Sequence, residues 1–275
     1  MLPLLRDFVA AHAFDAALSV TEGPGHATDL ARQAVAAGCA RVVAVGGDGT
    51  MNEVAQALVG TPVALALVPC GSGNGLARHL RVPLAPSAAI VLAADAGARV
   101  AVIDTGTANG RPFFNAMGLG LDAEVSRRFS QGARRGLAAY AGSVLAVFAR
   151  RRRERCLIMA DLRAEAIDVL LLAVANSDQY GNGAVIAPGA RVDDGLLDLV
   201  AVPPVGLLGA MVLAGRLFLG NLDRGAGIRH LRGARFVIER PAPGLIHTDG
   251  ECHEEAATVE IAVLPSSLCV VVAAK

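Results

Sequence analysis

The sequence contains almost no lysine. Among its 25 Lys and Arg residues the only lysine is Lys275, at the last position. A Walker-type phosphate loop needs a lysine on the phosphates, and a pyridoxal enzyme needs one for its Schiff base, so neither chemistry fits this chain. A bound phosphate would have to be neutralised by arginine, by backbone N–H groups or by a metal ion.

Other scarce features narrow the function classes further. The five cysteines have no C-x-x-C spacing, which argues against a zinc site or a disulfide framework. Tryptophan is absent and aromatic residues make up 4% of the chain, so an adenine base would contact aliphatic side chains. The formal net charge is zero, so no overall field attracts nucleic acid.

The sequence gives no signal for export or for a membrane span. No signal peptide is recognised at its start, which predicts a cytoplasmic protein. The longest apolar candidate, LLGAMVLAGRLFLG, is interrupted by Arg216 and is too short to cross a bilayer.

The hydrophobic pattern predicts two domains in the 275 residues. Predicted strands and helices alternate over residues 1–100, which is typical of an α/β layer with a parallel sheet. These strands include 17–21, 41–45 and 63–68. Residues 101–275 consist mostly of short β-like runs between Gly, Pro, Asn and Asp, which favours an antiparallel β-sandwich.

The stretch VVAVGGDGTMNEV, residues 42–54, predicts an anion site. A strand runs into the glycine-rich turn 46–49, and a helix is predicted from Thr50, with Thr50 and Glu53 as a capping box. Glycines let a phosphate approach the backbone, and a helix N-terminus favours negative charge. Asp48 fits beside a phosphate if a divalent cation lies between them, or if it orients a nucleophile. The alternative is an ordinary turn residue, and capping alone would explain Glu53.

A second glycine-rich turn follows the next predicted strand, in VPCGSGNGLARHL, residues 68–80. Gly71, Gly73 and Gly75 remove side chains from it, and Ser72 and Asn74 offer a hydroxyl and an amide to a helix end or to a phosphate. Two such turns lie at the carboxyl ends of parallel strands, where α/β sheets bind ligands. Together they are far more specific than either alone.

These two motifs resemble the diacylglycerol kinase catalytic domain in its bacterial lipid kinase branch, which sphingosine and ceramide kinases share. NAD kinase and phosphofructokinase have a similar G-G-D-G. The resemblance continues in MGLGLDAEV (117–125), YGNGAVIAPGARVDDGLLDLV (180–200) and HTDGE (247–251), so it spans about three quarters of the chain. It implies an ATP- and Mg²⁺-dependent kinase that phosphorylates a hydroxyl of diacylglycerol or a related lipid.

The resemblance also assigns roles to residues. The HTDGE segment would carry the base, either Glu251 or Asp249, while Asp48 would act through Mg²⁺. Glu124 would lie near the lipid headgroup. The ATP-binding positions would be Thr21, Gly46, Gly47, Asp48, Gly49, Thr50, Met51, Asn52, Gly71, Ser72 and Asn74.

ARVDDGLL resembles a cation site, with the Asp194 carboxylate and the carbonyl groups of Arg191 and Leu196 as ligands. Both Asp-Gly pairs, at 194–195 and 249–250, have a plainer interpretation as hairpin turns. His247 and His253 show no metal spacing, and a structural role is favoured for each.

Two features of the sequence leave alternatives open. Family members usually begin with a strand that ends in an Asn-Pro-x-Ser-Gly loop, and this chain starts at what resembles the following helix. Either the start codon is misassigned or the sheet lacks this strand, and the second case predicts an open sheet edge. The arginine-rich stretch 150–155 after a helical segment 137–149 predicts either contact with an anionic membrane or a solvated helix end. The competing functions are a small-molecule kinase of the NAD kinase type and a non-catalytic nucleotide or lipid sensor.

Overall fold

The computed structural model describes residues 1–12, 15–131, 153–160 and 163–274. Its first part alternates helices and strands. These are α1 (Leu2–His12), α2 (His26–Ala36), β1 (Arg41–Gly46), α3 (Asp48–Leu58), β2 (Ala64–Pro69), α4 (Gly75–His79) and α5 (Pro86–Ala94).

The remainder is mostly β-strand. It contains β3 (Arg99–Ala108), β4 (Arg111–Phe113), β5 (Ala116–Gly120), α6 (Leu121–Gln131), β6 (Glu154–Ala160), β7 (Arg163–Val169), β8 (Leu171–Ala175), β9 (Leu197–Val202), α7 (Leu207–Phe218), β10 (Arg229–Gly233), β11 (Arg235–Glu239), β12 (Gly244–Thr248), β13 (Glu251–Glu255) and β14 (Thr258–Val272). A single 3₁₀ turn, Leu222–Arg224, follows α7.

The first sheet has eight strands and joins the two parts of the chain. β1 pairs in parallel with β2, and β14 lies in parallel on the other side of β2, with Val270 opposite Leu65. β14 also pairs antiparallel with β3 and β11, and it shifts register between Leu264 and Leu268. Among the described residues β1 forms an edge of this sheet.

The second sheet has six strands, all antiparallel, in the order β10-β9-β8-β5-β12-β13. It packs on the antiparallel part of the first sheet around a shared apolar core, which includes Phe113, Leu119, Leu172, Leu199, Phe236 and Ile261. The predicted fold class, a parallel α/β layer followed by a mostly antiparallel β-sandwich, is confirmed.

Burial explains why the sequence of β2 is apolar at every position. Every residue of β2 is buried, because α3 packs on one side of the strand and α5 on the other. A strand covered on both faces is continuously apolar, as ALALVP is, and this is typical of parallel sheets.

Several sequence predictions need correction or fall outside the described residues. Residues 17–21 form neither strand nor helix and are exposed, so the predicted strand there is wrong. The helical segment 137–149 and arginines 150–152 lie outside the described residues. Arg155 lies on β6, 3.8 Å from the carboxylate of Asp168. Within the described ranges we find no helix with the length and apolar character needed to cross a membrane.

Candidate active site

The two glycine-rich turns lie directly against each other at the carboxyl ends of β1 and β2. The Cys70 N–H donates to the Gly46 carbonyl oxygen at 2.7 Å. A Cβ atom added to Gly71 would lie 2.6 Å from the Gly47 Cα atom, which is backbone and has no side-chain torsion that could move it aside. The turns can therefore meet backbone to backbone only because both positions are glycine.

Asp48 holds the two turns together. Its Oδ2 accepts the Asn74 N–H and its Oδ1 accepts the Gly75 N–H, each at 2.8 Å. A Cβ atom at Gly73 would lie 2.7 Å from Oδ2, so this position of the second turn must also lack a side chain. Asp48 is half-buried, and each carboxylate oxygen keeps a lone pair after these bonds. The carboxylate is thus well supported, by backbone donors of the neighbouring turn.

Asn74 shapes the second turn from inside. It has a positive φ of 54° and is buried, and its side chain bonds the Gly71 backbone twice, from Nδ2 to the carbonyl oxygen at 2.8 Å and from the Gly71 N–H to Oδ1 at 3.1 Å. Ser72 is exposed on the same turn. The hydroxyl of Ser72 is therefore better placed for a ligand than the amide of Asn74.

Helix α3 begins at Asp48, so the predicted capping box at Thr50 is wrong. Gly47 occupies the N-cap position and no side chain caps the helix there. Glu53 caps the neighbouring helix α2 instead, because its Oε2 accepts the Ala27 N–H at 3.1 Å. Next to the uncapped end, the space in front of Gly49 is open: no atom lies within 4 Å of an added Cβ. An uncapped helix N-terminus beside open space offers backbone N–H donors to an anion, and the anion site stays a prediction.

Met51 and Thr21, two other residues that were predicted to bind the nucleotide, lie in different surroundings. Met51 is 2% exposed and its side chain belongs to the apolar core. Its N–H donates to the Gly47 carbonyl oxygen at 3.1 Å, so it is not free for a phosphate. Thr21 lies in the exposed coil that precedes α2. The structure records no contact between Thr21 and the glycine-rich turns, and its nucleotide role stays a prediction.

Two residues of α4 that the sequence did not predict, Arg78 and His79, lie at the candidate site. The Arg78 Nε donates to the Gly73 carbonyl oxygen at 2.8 Å, which places a guanidinium beside the second turn. His79 Nδ1 lies 2.8 Å from the Asp178 carboxylate, and this interaction lowers the pKa of Asp178 although burial of the group opposes it. The sequence ARHL after the glycines could have indicated them, because arginine must neutralise phosphate in a chain that has no lysine near these turns.

Asp249 and Gly250 form the tight turn between β12 and β13. Both have positive φ, 50° and 86°, and Thr248 pairs with Glu251 across them, as the hairpin interpretation predicted. The same aspartate has a further role. Its carboxylate accepts three N–H groups, from Phe114 at 2.7 Å, Asn115 at 2.8 Å and Ala116 at 3.0 Å.

Burial and hydrogen bonding shift the pKa of Asp249 in opposite directions. Burial raises its pKa, while the three backbone donors and His247 lower it, and the net result is a pKa raised from 3.8 to about 6. A carboxyl group with that pKa changes charge close to neutral pH, as a general base requires. Glu251, the other candidate, is exposed at the start of β13.

The Asp48 and Asp249 carboxylates are joined by a short chain of contacts. Gly75, which donates to Asp48, leaves room for the Asn115 Oδ1 and the Tyr180 carbonyl oxygen, which would lie 3.2 and 3.0 Å from an added Cβ. Asn115 in turn donates to Asp249. The structure thus brings together residues that are some 200 positions apart in the sequence, 48 and 249.

His247 lies between the Asp249 turn and Asp122 on α6. It is 2% exposed, and its Nδ1 accepts the Gly250 N–H at 3.2 Å, so the ring proton is assigned to Nε2. Nε2 lies 3.0 Å from the Asp122 Oδ2 but makes no hydrogen bond there, whereas the Tyr180 hydroxyl donates to that oxygen. We call Tyr180, Asp122 and His247 the Asp122 cluster. Gly118 is in close contact with the Asp122 and His247 side chains, which leaves no room for a side chain at that position.

The predicted cation site has a different geometry. Asp194 Oδ1 accepts the Leu196 N–H at 3.1 Å, and its Oδ2 contacts the guanidinium of Arg232. The positive charge of Arg232 thus already pairs with the Asp194 carboxylate, and Arg191 pairs with Asp193. Within the described ranges there is no cluster of three His, Cys, Asp or Glu side chains suited to a metal. A metal at Asp194 stays a prediction, and the Arg232 contact counts against it.

Glu124 lies in the first turn of α6 and is half-buried. Its charge contributes to raising the pKa of Glu154, after the larger effect of burial, so the two carboxylates are near each other. The proposed contact of Glu124 with a lipid headgroup stays a prediction.

Comparison with known proteins finds a matching family for each of the two parts of the chain. The diacylglycerol kinase catalytic domain matches residues 1–108. The YegS C-terminal domain, described as NAD kinase beta sandwich-like, matches residues 115–272. The two matches together cover nearly all the described residues.

Relatives and solved structures agree with this. A Pseudomonas fluorescens protein named "Probable lipid kinase YegS-like" is 36% identical over 223 residues, which is 77% of this chain and 72% of the relative. A protein of the same name from Pseudomonas putida is 33% identical over 259 residues, covering 90% and 82% of the two chains.

A crystal structure of a Bacillus anthracis protein classed as a diacylglycerol kinase superposes with a TM-score of 0.79 at 25% identity, covering 96% of this chain and 86% of that one. An NAD kinase from Archaeoglobus fulgidus in complex with ATP gives a TM-score of 0.58 at 12% identity, covering 98% and 88%. At that identity the likeness concerns the fold alone.

Proposed function

This chain belongs to the diacylglycerol kinase catalytic domain family and carries the YegS-type C-terminal domain, and on that premise we propose that it is a lipid kinase. It would transfer the γ-phosphoryl group of ATP to a hydroxyl group of diacylglycerol or a related lipid. The relatives named as lipid kinases support a lipid acceptor.

The observation that carries the proposal is the contact between the two glycine-rich turns. Gly47 and Gly71 let the turns meet backbone to backbone, and Asp48 fixes them through two N–H bonds. The uncapped N-terminus of α3 and the open space before Gly49 leave backbone donors for phosphate oxygens. Phosphoryl transfer depends mostly on such positioning and on charge neutralisation.

The chemistry of Asp48 fits a magnesium ion. Mg²⁺ is usually held by one or two carboxylates together with substrate phosphates and water, and Asp48 keeps one lone pair on each oxygen. Bound there, Mg²⁺ would neutralise charge on the phosphates. Arg78, held at the Gly73 carbonyl oxygen, supplies a positive charge from the chain itself.

We assign the proton acceptor to Asp249. Its pKa of about 6 leaves it ionised at neutral pH and still basic enough to accept a proton in the transition state. The acceptor hydroxyl would give its proton to this carboxylate while its oxygen forms a bond to the γ-phosphorus. The bond from that phosphorus to the β–γ bridging oxygen breaks, and ADP leaves. Glu251 is the alternative acceptor.

The test is transfer of labelled γ-phosphate to a panel of acceptors. The panel contains diacylglycerol, monoacylglycerol, sphingosine, ceramide and NAD, each with Mg²⁺. We expect transfer to a lipid, and a loss of roughly 100-fold or more in Asp48→Asn, because that variant loses one of two charge-assisted acceptors and the negative charge. Asp29→Asn is the matched control, since Asp29 is exposed on α2 and pairs only at the surface with Arg32.

Other outcomes would favour the competing functions. Phosphorylation of NAD without any lipid product would support a kinase of the NAD kinase type. Binding of ATP without transfer to any acceptor would support a nucleotide sensor. Either result would contradict the lipid kinase proposal.

A further inference from the structure

Helix α7 has an exposed apolar face. The exposed fractions are 54% at Leu207, 79% at Leu208, 64% at Met211, 59% at Val212, 45% at Phe218 and 76% at Leu219, the residue after the helix. We call these six residues the α7 apolar face. They make up six of the sixteen large hydrophobic residues that are exposed in the described part of the chain. Exposed apolar residues so closely grouped mark a binding surface.

The spacing of these residues places them on one side of the helix. Leu208, Met211, Val212 and Leu219 recur at intervals of three, four and seven or eight positions, which is the period of one helix face. The opposite side carries Leu213 and Leu217, which pack against the core around Ile186 and Leu222. The fold therefore accounts for the inner leucines and leaves the α7 apolar face without a partner among the described residues.

The charges around α7 are mainly positive. The helix carries no acidic residue, and its one charged residue is Arg216 in the last turn. The 3₁₀ turn that follows adds Arg224 and one acid, Asp223. Arg216 and Arg224 beside the apolar face, with no carboxylate on the helix itself, are complementary in charge to the headgroups of an anionic bilayer. With 12 residues, α7 is too short to span a bilayer.

α7 is also connected to the candidate active site. The Val185 N–H donates to the Leu217 carbonyl oxygen at 2.9 Å, so the loop around 180–187 lies against the inner side of the helix. The same loop contacts the second glycine-rich turn, where the Asn182 N–H donates to the Gly73 carbonyl oxygen at 3.2 Å. A surface bound to α7 would thus be one loop away from the phosphate site.

We propose that the α7 apolar face docks onto the surface of a lipid bilayer and so brings the active site to an acceptor lipid in that bilayer. This inference rests on the proposed function. A lipid with long acyl chains stays in the bilayer, because every buried methylene group adds to its affinity for the hydrocarbon layer. A kinase that acts on such a lipid must therefore contact the membrane, and in the described residues α7 presents an apolar surface for it.

The experiment measures vesicle binding by co-sedimentation. Sucrose-loaded vesicles of phosphatidylcholine, with and without phosphatidylglycerol, are incubated with wild-type protein, with the double variant Leu208→Glu/Met211→Glu, and with Val91→Glu. Val91 is 57% exposed on α5, so it is a matched apolar-to-acid change on another helix. We expect the double variant to bind at least about tenfold more weakly, Val91→Glu to bind as wild type does, and wild type to prefer phosphatidylglycerol.

Kinase assays separate docking from catalysis. Phosphate transfer is measured with diacylglycerol in the vesicles and with a short-chain diacylglycerol that dissolves in water. We expect the double variant to lose most of its rate on vesicles and to keep the wild-type rate on the dissolved acceptor. If wild type phosphorylates the dissolved acceptor but the double variant binds vesicles normally, docking through α7 is overturned and the proposed function stands. If wild type phosphorylates neither acceptor, the proposed function fails.

Two other occupants of the α7 apolar face would give different results. If a second copy of the chain covers it, wild type will be dimeric in analytical ultracentrifugation and the double variant monomeric, with no vesicle binding by either. If another segment of the chain, such as 132–152, covers it, the double variant will lose thermal stability and wild type will not bind vesicles. Each result would overturn the proposal.

Discussion

The raised pKa of Asp249 predicts how the rate of phosphate transfer depends on pH. If Asp249 accepts the proton of the acceptor hydroxyl, only molecules with an ionised Asp249 are active. With a pKa of about 6, roughly 90% are ionised at pH 7 and roughly 10% at pH 5, so kcat/KM falls about tenfold between them. With the ordinary value of 3.8, about 94% would still be ionised at pH 5, and the rate would barely change.

The assay is kcat/KM for the lipid at saturating ATP, from pH 5 to pH 8, for wild type and two variants. Glu251→Gln is expected to keep the inflection near pH 6. Asp249→Asn is expected to lose most activity and to show no inflection there. Its amide has one acceptor oxygen, and its NH₂ group would face one of the donors at Phe114, Asn115 or Ala116.

Acid unfolding does not explain the expected fall. A carboxyl group whose folded pKa is raised adds stability that is complete below about 3.8 and is lost as pH rises through about 6, so Asp249 makes the fold more stable at pH 5 than at pH 7. Asp178, with a lowered pKa, loses its contribution only below the ordinary range of aspartate. A flat profile between pH 5 and pH 7, or an inflection that disappears in Glu251→Gln, would refute the assignment.

Four further predictions concern residues of the candidate active site. Gly71→Ala should reduce the free energy of unfolding by about 1–3 kcal/mol, because its Cβ meets backbone 2.6 Å away. Gly49→Ala meets open space, so thermal melting should show unchanged or higher stability while calorimetry shows weaker ATP binding. Arg78→Gln should raise the KM for ATP, measured from initial rates, about tenfold, and Arg78→Lys should raise it less. A KM for ATP equal to that of wild type in both variants would exclude a phosphate contact of Arg78. His247→Gln should lower kcat without changing the KM for ATP, since His247 accepts the Gly250 N–H of the Asp249 turn and has no hydrogen bond to the glycine-rich turns; a change in both would indicate general loosening.

Much of the candidate site could be predicted from the sequence. The strand-turn-helix order around Gly47 and Gly71 is local, and local hydrophobic pattern with glycine content is enough to indicate it. The hairpin at Asp249 and Gly250 is also local, because two successive residues with positive φ favour this pair.

Features that depend on contacts between distant residues could not be predicted in this way. Thr50 and Glu53 have the spacing of a capping box, yet the helix starts at Asp48 and Glu53 caps α2. Alternation alone also favoured a strand at 17–21, which the fold leaves as exposed coil. At Glu53 a tertiary contact overrides the local spacing, and at 17–21 the residues stay exposed in spite of their strand-like pattern. Neither outcome is visible in a window of a few residues.

The sequence by itself determined which chemistry was available. The near absence of lysine excluded the commoner phosphate loops, and two glycine-rich turns after apolar strands predicted an anion site. Only the tertiary structure decided what supports each carboxylate. Asp48 takes its hydrogen-bond donors from residues 74 and 75, and Asp249 takes its donors from residues 114 to 116. Burial and hydrogen bonding set the charge of a carboxyl group, and both come from segments that meet only when the chain is folded.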